Sequence, residues 1–194
     1  MKKAVIVSVL ILFLIFLSKN KKQVEKITSN ALSSVKNSLS LAASQIEIVG
    51  NAIASLIRSG CPVTSLPFVI AQLAFETGHF KSSEALVDNN LSGIKFMGQN
   101  GATRGQYLNP NAQEAGGFYA HYNTIDDWAK DYLRILNKVG NARPLEATNA
   151  ADFVHALKQN KYFEGNENQY TKGVDSLSKS YYPYIAAIKA MNIF

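Results

Sequence analysis

Apolar positions recur at helical spacing along most of this chain. Leu39, Ala42, Ile46, Val49, Ile53 and Leu56 alternate between steps of three and four, a heptad-like stripe. It predicts a helix over residues 46–59, closed by Gly60 and Pro62, as the first helix of a core. Upstream of residue 46 the stripe reads as a spacer, because Ser33, Ser34, Ser38, Ser40 and Ala43 weaken any coiled-coil seam. A second helix is expected over 66–75, with Pro67 suited to its first turn and Thr77-Gly78 stopping the apolar run. The stretch from there to Asn100 is rich in Asn and Gly and reads as loop. Residues 103–108 and 117–122 alternate well enough for a β-hairpin around a polar linker at Pro110. Residues 125–139 are amphipathic, with Trp128, Tyr132, Ile135 and Leu136 on one face and Asp126 and Asp127 in the first turn. Helices follow over 150–159, 169–177 and 181–191, with Tyr181, Tyr182 and Tyr184 sealing the last one. The fold class is mainly α (α+β), with one small hairpin.

The N-terminus follows another pattern. Residues 4–17 are apolar except for Ser8 and lie between Lys2-Lys3 and Ser18-Lys19. Fourteen helical residues rise about 21 Å, short of the roughly 30 Å hydrocarbon core of a bilayer. A signal peptide would need a small-residue cleavage site, but lysines 19, 21 and 22 follow instead. An uncleaved anchor with snorkelling lysines fits better. The expected organisation is therefore an anchor over 1–22, a helical spacer over 23–45 and a globular domain over 46–194. Lysine density on the C-terminal flank favours a cytoplasmic globule and so opposes a role outside the membrane.

Composition and charge narrow the function. A hydrophobic fraction of 47% with 18% charged residues belongs to a packed globule. The net charge of +6 is entirely N-terminal: residues 1–36 hold seven lysines against Glu25, whereas 37–194 hold 13 basic and 13 acidic groups. The excess suits anionic headgroups beside residues 4–17, and nucleic acid is discarded as a partner. Cys61 is the sole cysteine, and His79, His121 and His155 are far apart, so neither a disulfide nor a metal or other cofactor is expected.

The candidate chemistry centres on Glu76. A carboxyl group at the exit of a buried helix is shielded on one side, and such shielding favours a proton-donating form. The bland alternative is a carboxylate that caps the following loop. Glu84 and Asp88 read as such loop acids. On the hairpin, alternate rings face opposite sides, so Tyr107, Phe118, Tyr119 and Tyr122 divide between a face that packs on the core and a face open to a ligand. Trp128 reads as core.

The segment AQLAFETGHFKS followed by DNNLSGIK resembles the peptidoglycan glucosaminidases of glycoside hydrolase family 73, which have a lysozyme-like fold. FYAHYNTIDDWAKDYLRIL and KYFEGNENQYTKGVDSL continue the resemblance in order, over roughly residues 50–190. The resemblance implies that Glu76 is the essential acid. It implies that Asn89, Asn90, Gly93 and Lys95 shape the floor of a glycan groove, where Ser92 replaces a usual Phe. Tyr162 and Tyr170 bracket the later tyrosine motif, at a longer spacing than the family's commonest pattern. Glycoside cleavage needs a proton for the leaving oxygen and a group to meet the oxocarbenium-like carbon. For the second role Glu114, just before Gly116-Gly117, competes with the substrate's own 2-acetamido oxygen, oriented by Tyr162 or Tyr170. Tyr119 and Tyr122 are added as substrate contacts. The expected protein is a membrane-anchored, wall-facing endo-β-N-acetylglucosaminidase acting on peptidoglycan, in a bacterial envelope or the membrane of a bacterial virus. Its rivals are a lytic transglycosylase and a non-catalytic wall-binding or virion structural protein.

Overall fold

The computed structural model describes residues 43–108, 117–138 and 142–190. The apolar segment 4–17, most of the proposed spacer and Glu114 lie outside the described residues. Among the described residues no helix is long and apolar enough to cross a membrane.

The molecule is mainly helical with one two-stranded antiparallel sheet, consistent with a lysozyme-like fold. Helix α1 (Ala43–Arg58) buries Ile46, Val49, Ile53 and Leu56, the last four positions of the predicted stripe, in the main core. Its last residue, Arg58, reaches Asp126 at 2.6 Å in the first turn of α4 (Ile125–Lys138). Helix α2 (Leu66–Glu76) starts with Pro67 in its first turn, as expected, and buries Leu66, Val69, Ile70, Ala71, Leu73 and Ala74. A helix apolar nearly all round must be central, and α2 packs mainly along α6 (Glu167–Ala190). The approach is close: a Cβ on Gly173 of α6 would overlap the Phe75 ring.

Two elements differ from the sequence expectation. The loop after α2 contains a short helix, α3 (Ser83–Val87), whose N-cap Ser82 accepts from the Ala85 N–H at 3.3 Å. The two predicted C-terminal helices are one, because α6 runs through Pro183. Proline lacks the N–H that would bond the carbonyl four residues back. That carbonyl belongs to exposed Lys179, where water can replace the lost bond. Buried Tyr181 and Tyr184 hold the helix to the core on either side of the proline, whereas Tyr182 is exposed and seals nothing. Helix α5 (Ala150–Gln159) has the predicted bounds.

Strands β1 (Ala102–Tyr107) and β2 (Phe118–Tyr122) pair Ala102 with Tyr122 and Tyr107 with Phe118, with an irregularity between Arg104 and Tyr107. Asp88 accounts for it. Its buried carboxylate accepts from the Gln106 N–H at 3.2 Å, contacts His121 Nδ1 at 3.0 Å, and lies where a side chain on Gly105 would clash. Residues 94–96 also run along β2, through Ala120 N–H to Ile94 O and Phe96 N–H to Phe118 O, each at 2.8 Å. This pairing brings the Asn-Asn-Leu-Ser-Gly-Ile-Lys segment to one wall of a groove.

Candidate active site

Glu76 is the last residue of α2, and the turn after it is pinned from several sides. The Thr77 hydroxyl donates to Leu73 O at 2.6 Å and accepts from the Phe80 N–H at 2.9 Å. Gly78, His79 and Phe80 then take φ values of 56°, 62° and 62°, left-handed for three residues of which two carry side chains. Such backbone persists only where its surroundings over-determine it. Here Gln45 Nε2 donates to His79 O at 2.5 Å, His79 Nδ1 contacts the Tyr181 hydroxyl at 3.2 Å, and buried Phe80 packs edge-on against Tyr181. The helix exit, and with it the base of Glu76, is fixed in direction.

The carboxylate of Glu76 has a specific partner. Tyr170, buried on α6, donates its hydroxyl to Glu76 Oε1 at 2.5 Å. Burial, followed by the negative charge of Glu76, pushes the Tyr170 phenol well above the usual tyrosine range, so it remains a donor at neutral pH. Phe163 stacks on the Tyr170 ring at 4.1 Å and Phe75 meets it edge-on at 4.9 Å, which limits where the hydroxyl can point. Tyr162, half-buried, lines the same groove as Glu76. Its phenol is raised first by burial and then by the charge of Glu76.

Gln72 lies one helical turn before Glu76 and is fully buried. Its Oε1 accepts from the Tyr132 hydroxyl. Its Nε2 is buried and makes no hydrogen bond. A polar layer, Gln72 with Tyr132 one turn below and Tyr170 at the carboxylate, therefore adjoins the acid. Ser92 joins it from the opposite wall by accepting the Trp128 indole N–H at 2.9 Å. The serine that replaces a usual aromatic is thus a polar link, and Trp128 is core, as its helical position predicts.

Glu76 opens onto a cavity of about 470 Å³. One wall is the segment from Ser92 to Lys95 with Met97, a second is Ile135 and Leu136 of α4, and the third runs from Leu157 to Phe163 at the end of α5. Glu76 is the only acidic residue among the described residues that line it. Glu76 itself is exposed, a correction to the shielding expected at the exit of a buried helix, because the groove leaves this side of the helix end open to solvent. It nevertheless faces a groove and not a flat surface.

The sequence-derived site residues divide into four groups. Glu76, Gly93, Lys95 and Tyr162 line the groove, and Tyr170 reaches it through Glu76. Tyr119 is half-buried beside Gly93, and burial together with the Glu84 charge raises its phenol. Asn89 and Asn90 act from beneath. Asn89, in a left-handed conformation, donates to Tyr122 O at 2.8 Å. Asn90 is fully buried and ties Ile94 and Ala120 together through three bonds of 2.8–2.9 Å, so it shapes the floor and cannot itself touch a ligand. Tyr122 is a correction: it is fully buried and donates to Asp131 at 2.7 Å, because its strand position faces the core. Sequence reasoning missed Gln72, Lys161 and Phe163. A glutamine inside an otherwise apolar helical run, on the same face as Glu76, was the available signal for the first.

The family described as glucosaminidase, mannosyl-glycoprotein endo-beta-N-acetylglucosaminidase, matches residues 54–183, and the chain belongs to it. Membership supports peptidoglycan hydrolysis as the general activity. Among solved structures, the catalytic domain of the autolysin Auto from Listeria monocytogenes is 20% identical, with a TM-score of 0.46 over 74% of this chain and 89% of that one. No curated protein matches the chain.

Proposed function

We propose that this protein is an endo-β-N-acetylglucosaminidase that cuts the β-1,4 glycan strand of peptidoglycan, with Glu76 as general acid. One observation carries the reading: Glu76 projects into the groove from a fixed helix exit, and Tyr170 holds one of its oxygens at 2.5 Å. With Oε1 engaged, Oε2 is free to hold the proton that passes to the departing glycosidic oxygen. As the bond breaks, positive charge develops on the sugar's anomeric carbon. The 2-acetamido oxygen attacks that carbon from within the substrate, and Tyr162, in the wall of the same groove, orients the acetamide. Water then opens the cyclic intermediate and returns a proton to Glu76. This route requires a single protein acid, in keeping with the one carboxylate among the described lining residues. Glu114 acting on water is the alternative second group. Residues 4–17 would hold the domain at a membrane facing its polymer.

Mass spectrometry of fragments from purified peptidoglycan tests the bond assignment. The reading expects reducing N-acetylglucosamine ends. Anhydro-muramic ends would establish the transglycosylase, and binding without any cleavage would establish the wall-binding protein. Glu114→Gln separates the two routes: the substrate-assisted route predicts less than a threefold loss of kcat, whereas a role as base predicts roughly a hundredfold loss or more.

A further inference from the structure

Lys161 occupies a backbone conformation that its side chain makes costly. It follows the end of α5 with φ of 55°, where its N–H bonds Lys158 O and the Tyr162 N–H bonds Leu157 O, each at 3.0 Å. This is the left-handed position after a helix that glycine ordinarily fills, since a Cβ there is disfavoured. The side chain that takes on this strain lines the groove. Lys95 lines it from the segment beside β2. Neither ammonium has an acidic partner among the described residues, whereas neighbouring Lys158 is engaged by Glu164 O and Gly165 O. The globular part of the chain has no net charge, with 13 basic and 13 acidic groups over 37–194. Two unpaired lysines opening on one cavity are therefore a local feature and not the spill-over of a basic surface.

We propose that Lys161, assisted by Lys95, forms a carboxylate-binding subsite that selects acid-bearing glycan over neutral glycan. The proposal rests on the glycosidase reading and deepens it. In peptidoglycan such a carboxylate is either the lactyl acid of a bare muramic residue or an acidic group of an attached peptide. Both would meet an ammonium at the groove edge, and the interaction would weaken with salt.

Binding separates this proposal from the hydrolase reading. Glu76→Gln protein, alone and combined with Lys161→Gly or Lys161→Arg, is titrated with three ligands: peptide-bearing glycan, glycan stripped of peptide, and neutral N-acetylglucosamine oligomers. The subsite predicts that Lys161→Gly reduces the preference for acid-bearing over neutral ligand by roughly three- to tenfold. It predicts that Lys161→Arg restores most of that preference, and that high salt removes it. Because glycine suits this backbone, the thermal midpoint of Lys161→Gly should equal or exceed that of its parent, so lost preference would not reflect unfolding. A loss confined to peptide-bearing glycan assigns the carboxylate to the peptide, a loss confined to stripped glycan assigns it to the free lactyl group, and a loss on both means that the subsite accepts either acid. An equal preference with and without Lys161 overturns the subsite, even if the wild type hydrolyses the polymer. Failure of the wild type to hydrolyse it, with the preference intact, would overturn the enzyme reading and leave the subsite standing.

Discussion

Tyr170 and Glu76 form the contact on which the site is built. The tyrosine is buried, its ring is held between Phe75 and Phe163, and its hydroxyl donates to the one acid in the described groove. Tyr170→Phe keeps the ring packing and removes only the donor. We expect kcat on peptidoglycan to fall roughly tenfold, the equivalent of one hydrogen bond to a charged group, with little change in thermal midpoint. An unchanged kcat would mean that the contact does not orient the acid. Gln72 is the supporting residue one turn below. Gln72→Met fills similar volume but leaves the Tyr132 hydroxyl without its acceptor, which should lower stability by about 1–3 kcal/mol in urea unfolding.

Among the elements, the α2 exit combines local sequence with long-range restraint. Thr77 serves both the helix end and the turn, so Thr77→Val, of similar shape, should cost about 1–2 kcal/mol and reduce kcat by loosening the base of Glu76. Stability measured by urea unfolding and kcat should fall together; a fall in stability alone would make the turn merely structural. The helix itself was legible in the sequence, because Pro67, the apolar run and Thr77-Gly78 are local signals. So were the hairpin and the bounds of α5, where periodicity is unambiguous. Helix α3 was not, since five residues give too short a period to read and only Ser82 marks the start. Nor was the continuity of α6, because packing of Tyr181 and Tyr184 overrides the local signal of Pro183. Glu76, Gly93 and Lys95 were assigned to the groove through the family resemblance. The Gln72 layer was not visible, because its partners lie 60 or more positions away and only folding brings them together. Tyr122 was misplaced because alternation along a strand says which rings share a face, and not which face meets the core.

At the scale of the whole molecule, five tyrosines among the described residues are buried: Tyr122, Tyr132, Tyr170, Tyr181 and Tyr184. Burial raises Tyr122, Tyr132, Tyr162, Tyr170 and Tyr181 above the usual range and Tyr184 to about 12, and it pushes the Cys61 thiol from 9.0 to about 11. A folded-state value above the unfolded one gives stability that is complete below the unfolded value and is lost as pH climbs to the folded one. The urea midpoint should therefore hold steady up to pH 9.0, decline as the unfolded thiol ionises, and decline more steeply beyond 10.0 as the unfolded phenols follow. Cys61→Ala should remove the earliest part of the decline. A midpoint unchanged up to pH 12 would contradict the buried placement of these groups.

The central claim, that Glu76 supplies the proton to the departing sugar oxygen, is most directly tested by comparing two substrates in the Glu76→Gln enzyme. One is natural peptidoglycan glycan, and the other is a dinitrophenyl glycoside of an N-acetylglucosamine oligomer, whose leaving group needs no proton. Loss of general acid catalysis predicts a fall in kcat of roughly a hundred- to ten-thousandfold on the natural glycan and less than tenfold on the activated one. Equal losses on the two substrates, or full activity on the natural glycan, would contradict it.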